Sequence, residues 1–487
     1  MTELSDEGAT REAAISMESF PRNPNPEPMP DPEDQDVFCT RFDSYIGMWY
    51  KQGAFFPEYG PKYGGGLSTY NAKHRPLAVY APEVNKTFFC WGGTTKGNHL
   101  RDRYVDNQPG NLLHMVSYYD HETGMVPKPV IVFDKWCGDP HDNPVLQIDA
   151  EGTLWLFSPS HGHWTSQSFI HRSLEPYAID RWETVYKGPR YAYPQPWYDP
   201  DRGFLLMHTR YEDGRVLYAA TSPDGLAWSE GRKLAQIARG HYQVTAHDPE
   251  HGVVATAFNY HPEEGGLEAR TNLYYAQTTD WGETWTNILG EPLDLPLTEP
   301  HNPALIWEAE DAGLKVYMKD LVFDPAGRPV VVCVTSEGYE PGPENGPRVW
   351  RFARWAGAGW RITRGPVSDN NYDMGPLTIE KDRWTLIAPT EPGPQPYNPG
   401  GEIAMWRSDD LGSSWRKVRQ LTHDSPRNHT YVRRPLNAHP EFHAFWADGD
   451  ARRPSVSFLY FTDREGETVR QLPVEMSQPF QEPEVCE

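Results

Sequence analysis

Thr278-Thr279-Asp280-Trp281-Gly282-Glu283-Thr284-Trp285 and Ser408-Asp409-Asp410-Leu411-Gly412-Ser413-Ser414-Trp415 share one pattern, Ser/Thr-x-Asp-x-Gly-x-x-Trp. Ser222-Pro223-Asp224-Gly225-Leu226-Ala227-Trp228 is the same with one residue removed. Each copy follows an aromatic-rich strand signal: Val216–Ala220, Leu273–Gln277 and Ile403–Trp406. The pattern describes a β-hairpin turn in which Asp accepts turn amides, Gly takes the left-handed dihedral and Trp tucks beneath.

A second recurring unit surrounds these turns: strand, acidic-x-Gly turn, strand. Val145–Ile148, Ala150-Glu151-Gly152 and Leu154–Phe157 form one example; Leu321–Asp324, Gly327 and Val330–Val332 form another. Laid out along the chain, the units fall at 76–134, 142–187, 194–233, 242–288, 315–365, 372–420 and 432–470. Seven units at a period of about 50 residues predict an all-β, seven-bladed β-propeller of four-stranded antiparallel sheets. Strand material near Tyr45–Tyr50 is expected to complete the last blade and close the ring. No helix longer than two or three turns is predicted.

Residues 1–37 stand apart, with ten acidic and two basic residues and a proline at almost every second position from Pro21 to Pro32. Such a segment buries too little apolar surface to offset its ordering entropy and reads as a disordered arm. From 38 to 487 the texture is uniform, which predicts a single propeller domain.

Composition narrows the function. Lys and Arg total 45 against 68 Asp and Glu, a formal charge of −23. That balance argues against nucleic-acid or anionic-membrane partners, which need a basic footprint. No apolar run approaches the ~18 residues of a spanning helix. Cys39, Cys90, Cys137, Cys333 and Cys486 are too scattered for a disulfide framework and include no Cys-x-x-Cys pair. The N-terminus carries no basic-then-apolar signal pattern, so a cytoplasmic location is expected, or a secreted or periplasmic one should a leader precede this sequence. Aromatics at 13% suit both a sheet core and a sugar-facing surface.

Polar residues at blade ends are the natural candidates for chemistry. Gly138-Asp139-Pro140-His141-Asp142-Asn143-Pro144 precedes one hairpin and Ser160-His161-Gly162-His163 follows it. A hairpin returns its end to the level of its start, so His141 and His161 can project at one rim. One blade on, Tyr193 begins a hairpin that ends at Arg210, repeating that geometry. Two His, a Tyr and an Arg at one rim form an acid/base set with an anion clamp. Asn143, Tyr242, His261 and Arg270 are candidates for substrate binding at the same rim. Metal ligation is open: His261 with nearby acids, or the 369–373 loop, are candidates for a structural Ca²⁺ or Zn²⁺, and neither spacing matches a metal motif.

The turn pattern is the Asp-box of sialidase-like propellers. With Pro140-His141-Asp142-Asn143-Pro144, Ser160-His161-Gly162, Tyr193-Pro194-Gln195-Pro196 and Asn272-Leu273-Tyr274-Tyr275, the chain resembles the Asp-box propeller polysaccharide lyases, over roughly residues 75–465. That family includes ulvan lyases and lyases acting on rhamnosyl-(1→4)-glucuronate. The resemblance implies β-elimination at a uronic acid of an anionic glycan, with no cofactor required. It also implies that Arg210 neutralises the uronate carboxylate while His141, His161 and Tyr193 share base, acid and orienting roles. Two other readings remain open: a sialidase-like glycoside hydrolase and a non-catalytic glycan-binding propeller. The first lacks an Arg-Ile-Pro-type strand start. Finally, the Pro-rich stretch Pro389–Tyr397 is a stiff loop that could wall one end of a groove.

Overall fold

A computed structural model of the chain describes residues 36–66, 73–94, 112–161 and 167–486. The expected N-terminal arm therefore lies outside the described residues, apart from Asp36 and Val37. Seven antiparallel sheets follow one another along the chain, numbered here as blades 1 to 7. Blade 1 runs from Ala78–Ala81 to Val130–Asp134, blade 2 from Val145–Ile148 to Trp182–Pro189, and blade 3 from Ala192–Asp199 to Arg232–Ala235. Blade 4 runs from Gln243–Asp248 to Leu305–Trp307, and blade 5 from Lys315–Phe323 to Trp360–Ser368. Blades 6 and 7 begin at Leu377–Glu380 and Asn428–Arg433. Helical structure among the described residues is limited to short 3₁₀ turns.

The Asp-box turns form as their residue types require. Asp280 Oδ1 accepts the Thr284 amide at 2.8 Å, and Asp410 Oδ1 accepts that of Ser414 at 2.9 Å. Trp228 and Trp415 donate their indole N–H to the carbonyls of Gly225 and Gly412. Gly412 has φ +79°, and a Cβ there would stand 2.7 Å from the Trp384 ring, so both conformation and packing select glycine.

Two expectations on architecture need correction. Blade 4 does not end by residue 288. Its third strand, Thr271–Thr278, first bridges to Thr286 beyond the turn, and its regular fourth strand is Leu305–Trp307 after a long loop. Nor does the 45–50 segment complete blade 7, whose outer positions are held by Val469–Gln471 and Glu484–Val485. Instead Ile46 bridges Phe458 and Gly47 bridges Gly93, tying blade 7 to blade 1. Phe480–Gln481 pairs with Val126–Pro127 and adds a C-terminal clasp on blade 1.

The chain from Trp49–Phe56 then turns back through Gly60–Gly66 as a separate two-stranded ribbon. Its glycines explain where it lies: a Cβ on Gly66 would sit 2.1 Å from the Asp448 carbonyl oxygen, so only bare backbone fits there. From blade 7 the ribbon reaches across the ring. Lys62 pairs with Glu268, Tyr63 packs edge-on against Tyr372 at 4.9 Å, and Gln52 reaches Asp139. The Pro-rich 389–397 loop backs it, with Tyr397 against Tyr59 at 5.6 Å.

Several imidazoles are folded into this sheet stack. Burial pushes His171, His208 and His443 down to about 3 and His241 to about 4. A histidine whose folded pKa lies below its unfolded value of about 6.5 binds fewer protons when folded, so its stabilising effect is lost as pH falls from there towards the folded value. A tenfold change in proton affinity between the two states corresponds to at most about 1.4 kcal/mol per group. Asp142 and Asp369, pushed up to about 6 by burial, oppose the trend below that pH but are fewer. Calorimetry is expected to show the melting temperature dropping steeply over this window, with His171→Gln flattening the slope. A flat profile would contradict the burial argument.

Candidate active site

Asp139 organises the rim between blades 1 and 2. It caps the 3₁₀ turn Pro140–Asp142, its Oδ1 accepting the His141 amide at 3.0 Å. The same oxygen accepts His141 Nδ1 and, at 2.8 Å, Gln52 Nε2 from the ribbon. Its other oxygen takes His161 Nδ1 at 2.7 Å. One carboxylate thus holds two imidazoles, which stack with centroids 3.9 Å apart and planes 16° apart. With the Nδ1–H groups spent on Asp139, a neutral imidazole at either position carries its lone pair on Nε2. Burial pushes His141 down to about 4, so it is neutral near pH 7. Burial pushes the Asp139 carboxyl up, but the two imidazoles outweigh it and hold the group well below the usual range.

Tyr193 faces this pair. It sits at φ +53° beside a register shift at the start of blade 3, a conformation that turns its ring out of the regular strand pattern. Its ring meets those of His141 and His161 edge-on at 6.1 and 5.9 Å, and its hydroxyl bonds that of Tyr211 at 2.9 Å. Burial pushes Tyr211 up to about 12, which keeps it a protonated donor. Arg215 stands directly across the strand pair from Tyr211, its guanidinium 5.2 Å from that ring and 5.5 Å from Tyr242. Arg270 approaches Tyr242 from another side, at 5.1 Å, and donates to the Tyr372 hydroxyl. His261 completes the group, fully buried against Tyr242 at 5.1 Å, with no hydrogen bond to either ring nitrogen among the described residues.

Of the residues expected from sequence, His141, His161, Tyr193, Tyr242, His261 and Arg270 are brought together. Arg210 is not. Along the strand Gly203–Glu212, neighbouring side chains alternate faces. Tyr211 takes the face toward His161, which leaves Arg210 on the other. There Arg210 donates to His208 and the Glu230 carbonyl and lies 4.3 Å over the Tyr218 ring. Asn143 lies behind the rim, its carbonyl accepting His74 Nδ1 at 2.9 Å, and His74 backs the Tyr193 ring. Sequence reasoning does not find Asp139, Tyr211, Arg215 or Gln52. A signal for Arg215 is present in Tyr211-Glu212-Asp213-Gly214-Arg215, where a tight turn sets the first and last residues opposite one another.

Several basic side chains gather near the rim although the chain is acidic. Lys62, Lys73 and Lys319 lie near Arg270; burial first, and neighbouring cations next, push Lys73 well down, and burial pushes Lys62 to about 8. Lys319 is pushed down to about 7 by burial, although Asp373 pulls the other way. Glu268 pairs with Lys62 and Asp373 lies near Lys319, while Arg215 and Arg270 add guanidinium charge that favours an anion. Burial first, and Arg215 and Arg270 next, push His261 well down. The 369–373 loop spends its carboxylates on the backbone amides of Asn370, Tyr397 and Gly400. Among the described residues, two groups bring three ligating atoms within 4.8 Å of one another: Asp139, His141 and His161, and, elsewhere, His121, His439 and Glu441.

The sheets and rim define a seven-bladed Asp-box propeller with a cluster of histidine, tyrosine and arginine side chains on one face. The chain belongs to the BNR repeat-containing family, whose sequence model matches residues 87–366. An ulvan lyase from Nonlabens ulvanivorans is 23% identical over 316 residues, 57% of this chain and 64% of that protein. The chain thus spans somewhat less than two thirds of that relative's length. Among solved structures, an ulvan lyase described as a new family of polysaccharide lyase shares the fold, with TM-score 0.65 and 15% identity over 88% of this chain and 96% of that one. The same description, with GlcA(1-4)Rha3S bound, gives TM-score 0.64 at 14% identity, again over 88% and 96%. The polysaccharide lyase Uly1 gives 0.58 at 14% identity, over 88% and 98%.

Proposed function

We propose that this protein is a polysaccharide lyase that breaks the bond to O4 of a uronic acid by β-elimination, acting on a rhamnosyl-(1→4)-glucuronate linkage in an anionic glycan or its oligosaccharides. The observation that carries the reading is the joining of two Asp139-bound imidazoles, the Tyr193–Tyr211 phenol pair and the Arg215 guanidinium at one rim. Similarity to ulvan lyases supports it.

The chemistry asks for these groups. The C5 proton of a uronate is weakly acidic until charge growing on the carboxylate is countered. A guanidinium does this bidentately and stays charged. Arg215 takes that role in place of Arg210, with Arg270 alongside. Tyr193 passes its proton to a histidine Nε2, and Asp139 stabilises the imidazolium formed, as a carboxylate does in a nucleophile–histidine–aspartate triad. The Tyr193 phenolate, held by the Tyr211 hydroxyl, removes the C5 proton. In a gluco-configured uronate, O4 leaves from the same face, so Tyr193 returns that proton to it. The C4–O4 bond breaks and the C4–C5 double bond forms.

The test is to incubate the protein with ulvan, gum arabic and their oligosaccharides, and to follow the ultraviolet absorbance of an unsaturated uronate beside new reducing ends. Matched growth of both supports elimination. Reducing ends without absorbance would favour a glycoside hydrolase, and neither signal on any uronate glycan would favour a binding propeller.

A further inference from the structure

On the opposite face of the ring a second cluster joins the first and last blades. His121 lies in the turn that follows Leu113–Asp120, the third strand of blade 1. His439 and Glu441 lie in the blade 7 loop between Asn428–Arg433 and Ala444–Gly449. Both segments sit at strand ends remote from the rim that holds His141 and His161. The same junction carries the parallel bridge between Val79 and Leu436.

The two imidazoles are in contact, with centroids 3.7 Å apart and planes inclined at 43°. His121 Nδ1 faces Glu441 Oε2 at 3.2 Å, and the three ligating atoms lie within 4.8 Å of one another. His121 Nε2 bonds Thr87 Oγ1 at 2.8 Å. That outer bond fixes the ring, and because a hydroxyl can also accept, Thr87 can take an Nε2–H when Nδ1 gives up its proton to an ion, the support that metal-bound histidines ordinarily have. Tyr80 packs against both rings, at 5.4 and 4.9 Å, and Tyr119 against His121 at 4.9 Å. The His121 side chain is 1% exposed while that of Glu441 is 55% exposed, so the cluster is walled by aromatics on one side and open to water on the other.

We propose that His121, His439 and Glu441 form a binding site for a divalent transition-metal ion, Zn²⁺ foremost, that clamps blade 1 to blade 7. Two imidazoles and a carboxylate suit zinc and its neighbours, whereas calcium and magnesium take oxygen donors. Water from the open side completes four-coordination. Ligation through His439 Nδ1 would replace the 3.2 Å hydrogen bond that this atom accepts from the Glu441 amide. The function is structural, because the site lies at the end of the ring away from the acid/base cluster and joins segments distant in sequence. A bound ion stabilises the folded ring by mass action, since the unfolded chain does not hold these groups together.

The test uses the full chain, stripped with chelator and titrated with Zn²⁺ in a calorimeter, with thermal melts run in parallel. One ion per chain is expected to bind and to raise the melting temperature by about 2 °C or more. His439→Ala is expected to abolish both effects. Glu441→Gln, at a largely exposed position, should leave the metal-free melting temperature unchanged and weaken zinc binding by about tenfold or more. Zinc binding that survives both substitutions unchanged would overturn the proposal and direct attention to the Asp139 group. Absence of stoichiometric binding by the stripped wild-type chain would overturn it equally.

Discussion

Arg215→Ala is expected to lower kcat/KM on a uronate glycan by about 10³-fold, the scale seen when a group that stabilises a developing oxyanion is removed. The loss should fall mainly on kcat, because charge on the uronate carboxylate grows as the C5 proton leaves. Arg215→Lys should recover only part of it, since an ammonium supplies charge without the planar fork. Arg210→Ala separates the two arginines. Its guanidinium serves His208, Glu230 and Tyr218 on the other sheet face, so activity should stay within about threefold. Steady-state kinetics on purified variants, with melting temperatures beside them, check this. A large loss for Arg210→Ala with Arg215→Ala near wild type would reverse the assignment.

The second large effect is expected at Asp139. An asparagine there keeps the shape but offers one acceptor and one amide donor to two Nδ1–H groups. The Oδ1 side already takes the His141 amide and Gln52 Nε2, which are both donors. The amide oxygen will therefore stay on that side and the amide nitrogen will face His161. His161 must then switch tautomer, placing its proton on Nε2 and losing the lone pair aimed at the site. The imidazolium formed during turnover also loses its counter-charge. A drop in kcat of about 10³-fold or more follows, by analogy with the tautomer fault of an Asp→Asn change in a catalytic triad. KM should change little. Asp139→Glu, which keeps both acceptors, should recover more activity than Asp139→Asn despite its extra methylene. Equal loss in both variants would mean that Asp139 serves only to hold the turn.

Much of this molecule is legible from local chemistry. The Asp-box residues at 280 and 410 make the amide bonds their identities demand, and the blade period follows from repeated strand-turn-strand units. What local patterns miss is set by distant contacts. The ribbon over Trp49–Gly66 is hidden from sequence, because its glycines are explained only by the backbone of residues 448–451 against which they lie. The end of blade 4 is hidden too, since a loop with no strand pattern of its own separates the last strand from the turn signal. The site shows both outcomes. His141 and His161 follow from hairpin geometry, but Arg210 and Tyr211 are adjacent residues of which strand alternation admits only one to the rim. Counting that alternation from Tyr211, through the Gly214 turn, leads to Arg215. Asp139 stands in plain view within Gly138-Asp139-Pro140; its role appears only when two histidines and a ribbon glutamine converge on it.

Whether cleavage is elimination can be read from oxygen-labelled water. Elimination breaks the C4–O4 bond without adding water, so the unsaturated uronate and the new reducing end should both form unlabelled at the moment of cleavage. That is the result expected, seen by mass spectrometry of products quenched before sugar exchange sets in. Label in the cleavage products, with no unsaturated sugar, would mean hydrolysis and would contradict a lyase mechanism at the Asp139–Tyr193 rim.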